Sequence, residues 1–153
     1  MPTIGLSTTI PAEPEDCFDL SLSVDAHTAS MHESGERAVA GVTHGVMGFG
    51  DTVTWRARHF GIPFVMTSRI AEYERPRRFV DEQVSGPFRR WWHEHRFEPV
   101  PGGTLMTDVV EYVSPAGSVG RLVDRAVLER YMTRLLEQRN RWLAEELSMA
   151  PGG

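Results

Sequence analysis

Two histidines separated by one glutamate, His93-Glu94-His95, are the sharpest chemical feature of this 153-residue chain. In an extended segment, residues two apart share a face, with Cα atoms roughly 6.6–6.8 Å apart. Imidazoles so placed can divide acid–base work, because imidazole titrates near neutrality. They could also give a zinc ion two ligands, with Asp81, Asp108 or His59 as a third. His-x-His alone is a weak signature, however, and no metal or other cofactor is expected. The plain alternative is two half-buried histidines bonded to neighbouring strand groups. Asp81 and Asp108 are the carboxylates that would orient the rings, and strand register decides whether they do. If Phe97 pairs with Thr104, His93 falls opposite Asp108 and His95 opposite Met106. A one-residue slip puts Val109 opposite His93 instead. The Gly86-Pro87 turn likewise places either Asp81 or Val80 beside His93.

Alternation sorts the faces around this pair. Arg90, Glu94, Arg96 and Glu98 share one side, which should meet water, and Trp91, His93, His95 and Phe97 share the other. By the same test Val53, Trp55, Ala57 and His59 point inward, as do Phe64, Met66, Ser68 and Ile70. Trp55, His59, Phe64, Met66, Trp91, Phe97 and Tyr112, with Met132 and Leu135, form the expected lining of a ligand cavity. The same residues would serve equally as an ordinary core. Arg56 and Arg58 alternate with the apolar side and belong in solvent, unless curvature brings one to a cavity mouth. His27 and His32 lie in a short helical region, and His44 in a glycine-rich loop that reads as a gate. Cys17 reads as a buried small hydrophobe.

The elements that must position these groups follow from periodicity and turn residues. Thr3–Ile10 alternates as a first strand, and short helices are expected at Pro14–Leu20 and Asp25–His32. Strands are then expected at Arg37–Val42, Thr52–Phe60, Phe64–Tyr73, Arg78–Ser85, Arg89–Pro99 and Thr104–Val113, as sequential antiparallel neighbours. From Ser118, a candidate N-cap, helical spacing of Leu128, Tyr131, Met132, Leu135, Leu136, Trp142, Leu143 and Leu147 predicts one helix to about Leu147. The fold class is therefore α+β, one domain over residues 1–153 with a short flexible tail after about 148. Its sheet and long helix must bury each other's apolar faces.

Composition removes whole classes of chemistry. Hydrophobic residues make up 41% and charged residues 24%, as in an ordinary globular protein. All sixteen basic residues are arginine, so Schiff-base, P-loop-lysine and Ser-x-x-Lys mechanisms are out of reach. With one cysteine, no internal disulfide and no cysteine-rich metal cluster can form. A formal charge of -5 argues against nucleic acid as a partner. No stretch reads as a signal peptide or a membrane span, so a cytoplasmic protein without membrane insertion is expected.

The order of elements, together with Gly50–Gly61, Arg78–Phe88, Trp92–Phe97, Gly102–Asp108 and Pro115–Gly120, resembles the START-like or SRPBCC superfamily. That superfamily contains polyketide cyclases, aromatases and lipid-transfer proteins. The resemblance implies a helix-grip fold, a curved antiparallel sheet of about seven strands around a long C-terminal helix, with two short helices after the first strand. It implies a hydrophobic small-molecule ligand, aromatic or polyketide-like in character, held between sheet and helix. The alternative is a cyclase, aromatase or dehydratase using His93 and His95 with an aspartate. A second alternative is a protein-interaction module with a filled core. An acyl-carrier protein is a candidate partner, and the chain is expected as a monomer or homodimer.

Overall fold

Every second residue of Gly103–Val113 is buried, from Thr104 through Met106, Asp108 and Val110 to Tyr112, as in a strand with one face on the core. This strand, β7, pairs with β1 (Thr3–Ile10) on one side and β6 (Arg90–Val100) on the other. The computed structural model describes residues 3–114 and 125–149. In it the sheet continues through β5 (Arg78–Ser85), β4 (Ile62–Glu74), β3 (Thr52–His59) and β2 (Arg37–Gly41). All neighbours are antiparallel, in the order β1-β7-β6-β5-β4-β3-β2, and the sheet is curved.

Because β1 and β2 are opposite edges, the chain between them must cross the whole sheet. It does so as α1 (Pro14–Ser21), α2 (Val24–Ser30) and a 3-10 turn (His32–Ser34). Pro14 opens α1 with Glu15 and Asp16 in its first turn, where acids face the positive end of the helix dipole. The Ser23 hydroxyl caps α2 by accepting from the Ala26 amide at 3.1 Å. The long helix α3 (Arg125–Met149) packs against β1, α1 and α2. Its expected start at Ser118 lies outside the described residues, and so does the tail beyond Met149. Among the described residues, no helix is long and apolar enough to cross a membrane.

Two local departures from simple alternation have physical causes. Continued alternation past Ile70 would turn Glu72 inward, but a bulge between them pairs Ile70 with Asp81 and Tyr73 with Phe79. Tyr73 can then meet Phe18 edge-on, while Glu72 turns out to Arg78. On β6, the charged side expected in water is covered at Glu94, which is 6% exposed. Arg78 and Arg96 close over it at 2.9 and 2.6 Å.

The apolar interior divides into two clusters. One gathers Phe18, Phe79, Phe97, Met106 and Leu143, with the Phe18 ring edge-on to Tyr73, Phe79 and Phe97. The other gathers Ile4, Val110, Tyr112, Met132 and Leu136. Between them each element contributes polar residues instead. His93 and His95 precede Phe97 on β6, Asp108 separates Met106 from Val110 on β7, and Asp81 follows Phe79 on β5. On α3, Arg139 and Asn140 lie between Leu136 and Leu143.

Phe18 joins α1 to the strands that carry this polar layer, and it is fully buried. Phe18→Ala should therefore cost about 3–5 kcal/mol, read as a lower urea midpoint at unchanged slope. A loss below about 1 kcal/mol would show that α1 is dispensable to the packing of β5 and β6.

Candidate functional site

Asp108 is 1% exposed, so an ionised carboxylate there requires partners on every side. It has them. His93 Nε2 lies 2.8 Å and Arg139 Nη1 3.3 Å from Oδ1, and Asn140 Nδ2 donates to Oδ2 at 2.8 Å. Burial pushes the carboxyl pKa up, but the hydrogen bonds the imidazoles can give and the charge of Arg139 outweigh it. Asp108 is held well below the usual carboxylate range. Since an ionised carboxylate only accepts, His93 carries its proton on Nε2.

Register brings Asp108 here by a route the sequence reading does not anticipate. Phe97 pairs with Met106, His95 with Asp108 and His93 with Val110, two residues from the expected pairing. The turn chemistry explains the shift. Val100 pairs with Gly103, leaving Pro101-Gly102 as the two-residue turn, and Gly102 takes the positive φ of 88° that such a position favours. A two-residue shift preserves the face, so Asp108 still points inward and reaches His93 diagonally. Asp81 pairs with His93 across β5 and β6, one of the two placements open in the sequence. Its carboxylate accepts from His95 Nε2 at 2.7 Å, with His93 Nδ1 3.8 Å away.

The two imidazoles are stacked at 3.7 Å and 25°, with Phe79 stacked on His95 at 4.1 Å and Trp91 edge-on to His93. This column holds the rings with one edge toward Asp108 and the other toward Asp81. His95 Nδ1 lies 3.3 Å from both Arg139 Nη2 and Asp108 Oδ1. The neutral ring accepts there from Arg139; a protonated one would donate to Asp108, so His95 has a partner in either state. His93 Nδ1 is different. Among the described residues it has no hydrogen-bond partner, yet no fully buried side-chain nitrogen or oxygen is unpartnered. Its lone pair therefore opens to free space. Burial and the neighbouring His95 lower the His93 pKa, against the opposing pull of Asp108 and Asp81. Asp81 is also lowered: burial opposes ionisation, but the bond from His95 and the nearby charges prevail.

That space is a cavity of about 490 Å³ between the sheet, the α1–α2 crossing and α3. Trp55, His59, Phe64, Met66, Trp91, Met132 and Leu135 stand on its wall, and so do Asp81, His93 and His95. Phe97 and Tyr112 do not. Phe97 packs behind the wall on Phe18 and Phe79, and Tyr112 packs beside Trp91 and Phe88 in the second cluster. Asp108 is likewise screened from the wall by the histidines in front of it. His27 reaches the wall from α2, paired with Glu36 at 2.7 Å, whereas His32 and His44 are exposed. Arg56 and Arg58 face solvent, and Cys17 is buried.

Arg139 and Asn140 are the residues sequence reasoning passes over. The signal for them is a polar pair on the buried stripe, since 132, 136, 139, 140 and 143 recur at three- and four-residue steps. Among the described residues, Asp81, His93 and His95 also offer ligand atoms within 4.8 Å of one another, a set that could hold a metal ion.

A family model for polyketide cyclases/dehydrases and lipid-transport proteins matches residues 1–148, and the chain belongs to that family. No curated protein matches the sequence. Among solved structures, a protein from Thermus thermophilus is similar at 21% identity and TM-score 0.79, covering 99% of this chain and 100% of its own. The Zhui aromatase/cyclase from Streptomyces sp. R1128 is similar at 16% identity and TM-score 0.78, covering 99% and 98%. A START superfamily protein from Mycobacterium smegmatis follows at 13% identity and TM-score 0.74, covering 97% and 99%. At such identities the likeness is one of fold, and that fold is the helix-grip arrangement.

The buried charges of Asp108 and Arg139 depend on each other. Asp108→Asn or Arg139→Met alone should each cost about 3–5 kcal/mol, because each leaves its partner uncompensated in the interior. The double variant should cost at least 1 kcal/mol less than the two losses combined, measured by urea unfolding. Additivity within about 0.5 kcal/mol would mean the pair is not coupled.

Proposed function

We propose that this member of the polyketide cyclase/dehydrase and lipid-transport family is an acid–base catalyst acting on a carbonyl-bearing aromatic or polyketide-like molecule held in the cavity. One observation carries the reading: His93 turns to the cavity an Nδ1 that no hydrogen bond holds, 3.8 Å from the Asp81 carboxylate, with an ionised carboxylate fixed behind its other nitrogen. A neutral imidazole with a depressed pKa is a base at neutral pH, and the hydrogen bond from Nε2 to Asp108 stabilises the imidazolium it becomes.

The carboxylates support the same role: Asp108 at 2.8 Å and Asp81 at 3.8 Å stabilise the imidazolium that forms when His93 takes a proton from a carbon beside a carbonyl. The proton moves from that carbon to Nδ1, and the enolate carbon attacks a second carbonyl of the folded chain. His93 then returns the proton to the new alkoxide. Dehydration would repeat the cycle, with the second proton given to the departing hydroxyl. The aromatic walls contribute by holding the reacting carbons near each other.

Exchange of the methyl protons of acetylnaphthalene in heavy water, followed by NMR, tests the base without requiring the natural substrate. Wild-type protein should accelerate exchange at least 10²-fold over His93→Gln. Because the active form is neutral and its pKa is lowered, the rate should be flat above pH 6.5 and fall as pH drops through the folded pKa. The glutamine variant should lose that acid limb while still quenching its tryptophans with the ketone. Equal exchange in both proteins, with binding retained, would make the cavity a carrier's.

A further inference from the structure

The cavity has a second polar end. Where β3 turns into β4, His59 Nδ1 and the Tyr131 hydroxyl lie 2.8 Å apart across the gap between sheet and helix, and both residues line the cavity. Phe64 and Phe60 pack around the pair, at 5.9 Å from His59 and 4.5 Å from Tyr131. Burial keeps the imidazole neutral and the phenol protonated. Whichever group donates within the pair, the outcome facing the cavity is the same. If the phenol donates, His59 Nε2 carries a proton and the phenol oxygen can accept. If Nδ1 donates, Nε2 accepts and the phenol O–H is free. Among the described residues His59 Nε2 has no partner, and since no fully buried polar side-chain atom is unpartnered, it meets open space.

The helix measures the distance between the two ends. Tyr131 marks one, and Arg139, bonded to Asp108 and His95, marks the other. Eight residues at 1.5 Å each place them about 12 Å apart along α3. Met132, Leu135 and Leu136 lie in that interval of the helix, and Trp55, Phe64 and Met66 of the sheet line the same cavity, with the His27–Glu36 pair beside Trp55. A ligand oxygen at each end can use the hydrogen-bonding capacity that the His59–Tyr131 bond leaves free, as well as His93 at the other pole.

We propose that the His59–Tyr131 pair is a second recognition site, and that the cavity selects elongated apolar molecules carrying a hydroxyl or carbonyl oxygen at each end. This rests on the cavity being the ligand site, as the proposed function requires. Three matched probes separate the two claims: biphenyl, para-phenylphenol and the para,para′-biphenol, each titrated by tryptophan quenching. Wild-type protein should bind para-phenylphenol and gain roughly fivefold in affinity from the second hydroxyl. Tyr131→Phe and His59→Leu should each remove that gain, bringing the ratio of the two affinities close to one. Thermal unfolding of each variant checks that the fold is kept, and Tyr131→Phe, which removes one oxygen, carries the test if His59→Leu unfolds. Binding of para-phenylphenol without any gain from the second hydroxyl overturns the second site alone. So does a gain that survives in Tyr131→Phe. Failure of all three probes to bind overturns the cavity reading, and this inference with it.

Discussion

An ionised carboxylate buried between sheet and helix is the constraint on which the rest of this molecule turns. Taking Asp108 out of water is tolerable only because a guanidinium, an amide and an imidazole take up its lone pairs. Those partners come from different elements, so the requirement fixes more than itself. It sets the rotation of α3 by demanding Arg139 and Asn140 on the inner side, and it sets the tautomer of His93. Through that tautomer it leaves one ring nitrogen for the cavity. The two apolar clusters on either side of the layer exclude water, which strengthens each of these interactions.

Much of this was legible in the residues. Period-2 alternation identified the inner faces of β3, β4 and β6, because a one-sided antiparallel sheet separates apolar from charged side chains. The Pro/Gly turns then located every strand within a few residues. Pairing register was harder, since it depends on how many residues each turn consumes. Proline at 101 and glycine at 102 could have settled it, as a two-residue turn asks for that order. Asp108 keeps the inward face of the Phe97–Thr104 pairing because the observed register differs from it by an even number of residues.

What alternation could not show was depth. Phe97 and Tyr112 share their faces with true wall residues, yet neighbours from α1 and β6 cover them. Whether an inward side chain meets a ligand or another side chain depends on what arrives from distant segments. Arg139 was hidden for a related reason: on a helix rich in surface arginines, one on the inner stripe differs only in position. The bulge at Ile70–Glu72 leaves no local mark in the sequence either, and with it Tyr73 meets Phe18.

The protonation of His93 joins these strands of the account, since the ionised Asp108 implies it and the chemistry requires it. Two-bond proton–nitrogen correlation spectra of the 15N-labelled protein at pH 7 read it directly. A neutral ring is expected, with the Nδ1 shift of an unprotonated nitrogen and the Nε2 shift of a protonated one. A doubly protonated His93, or one carrying its proton on Nδ1, would contradict it.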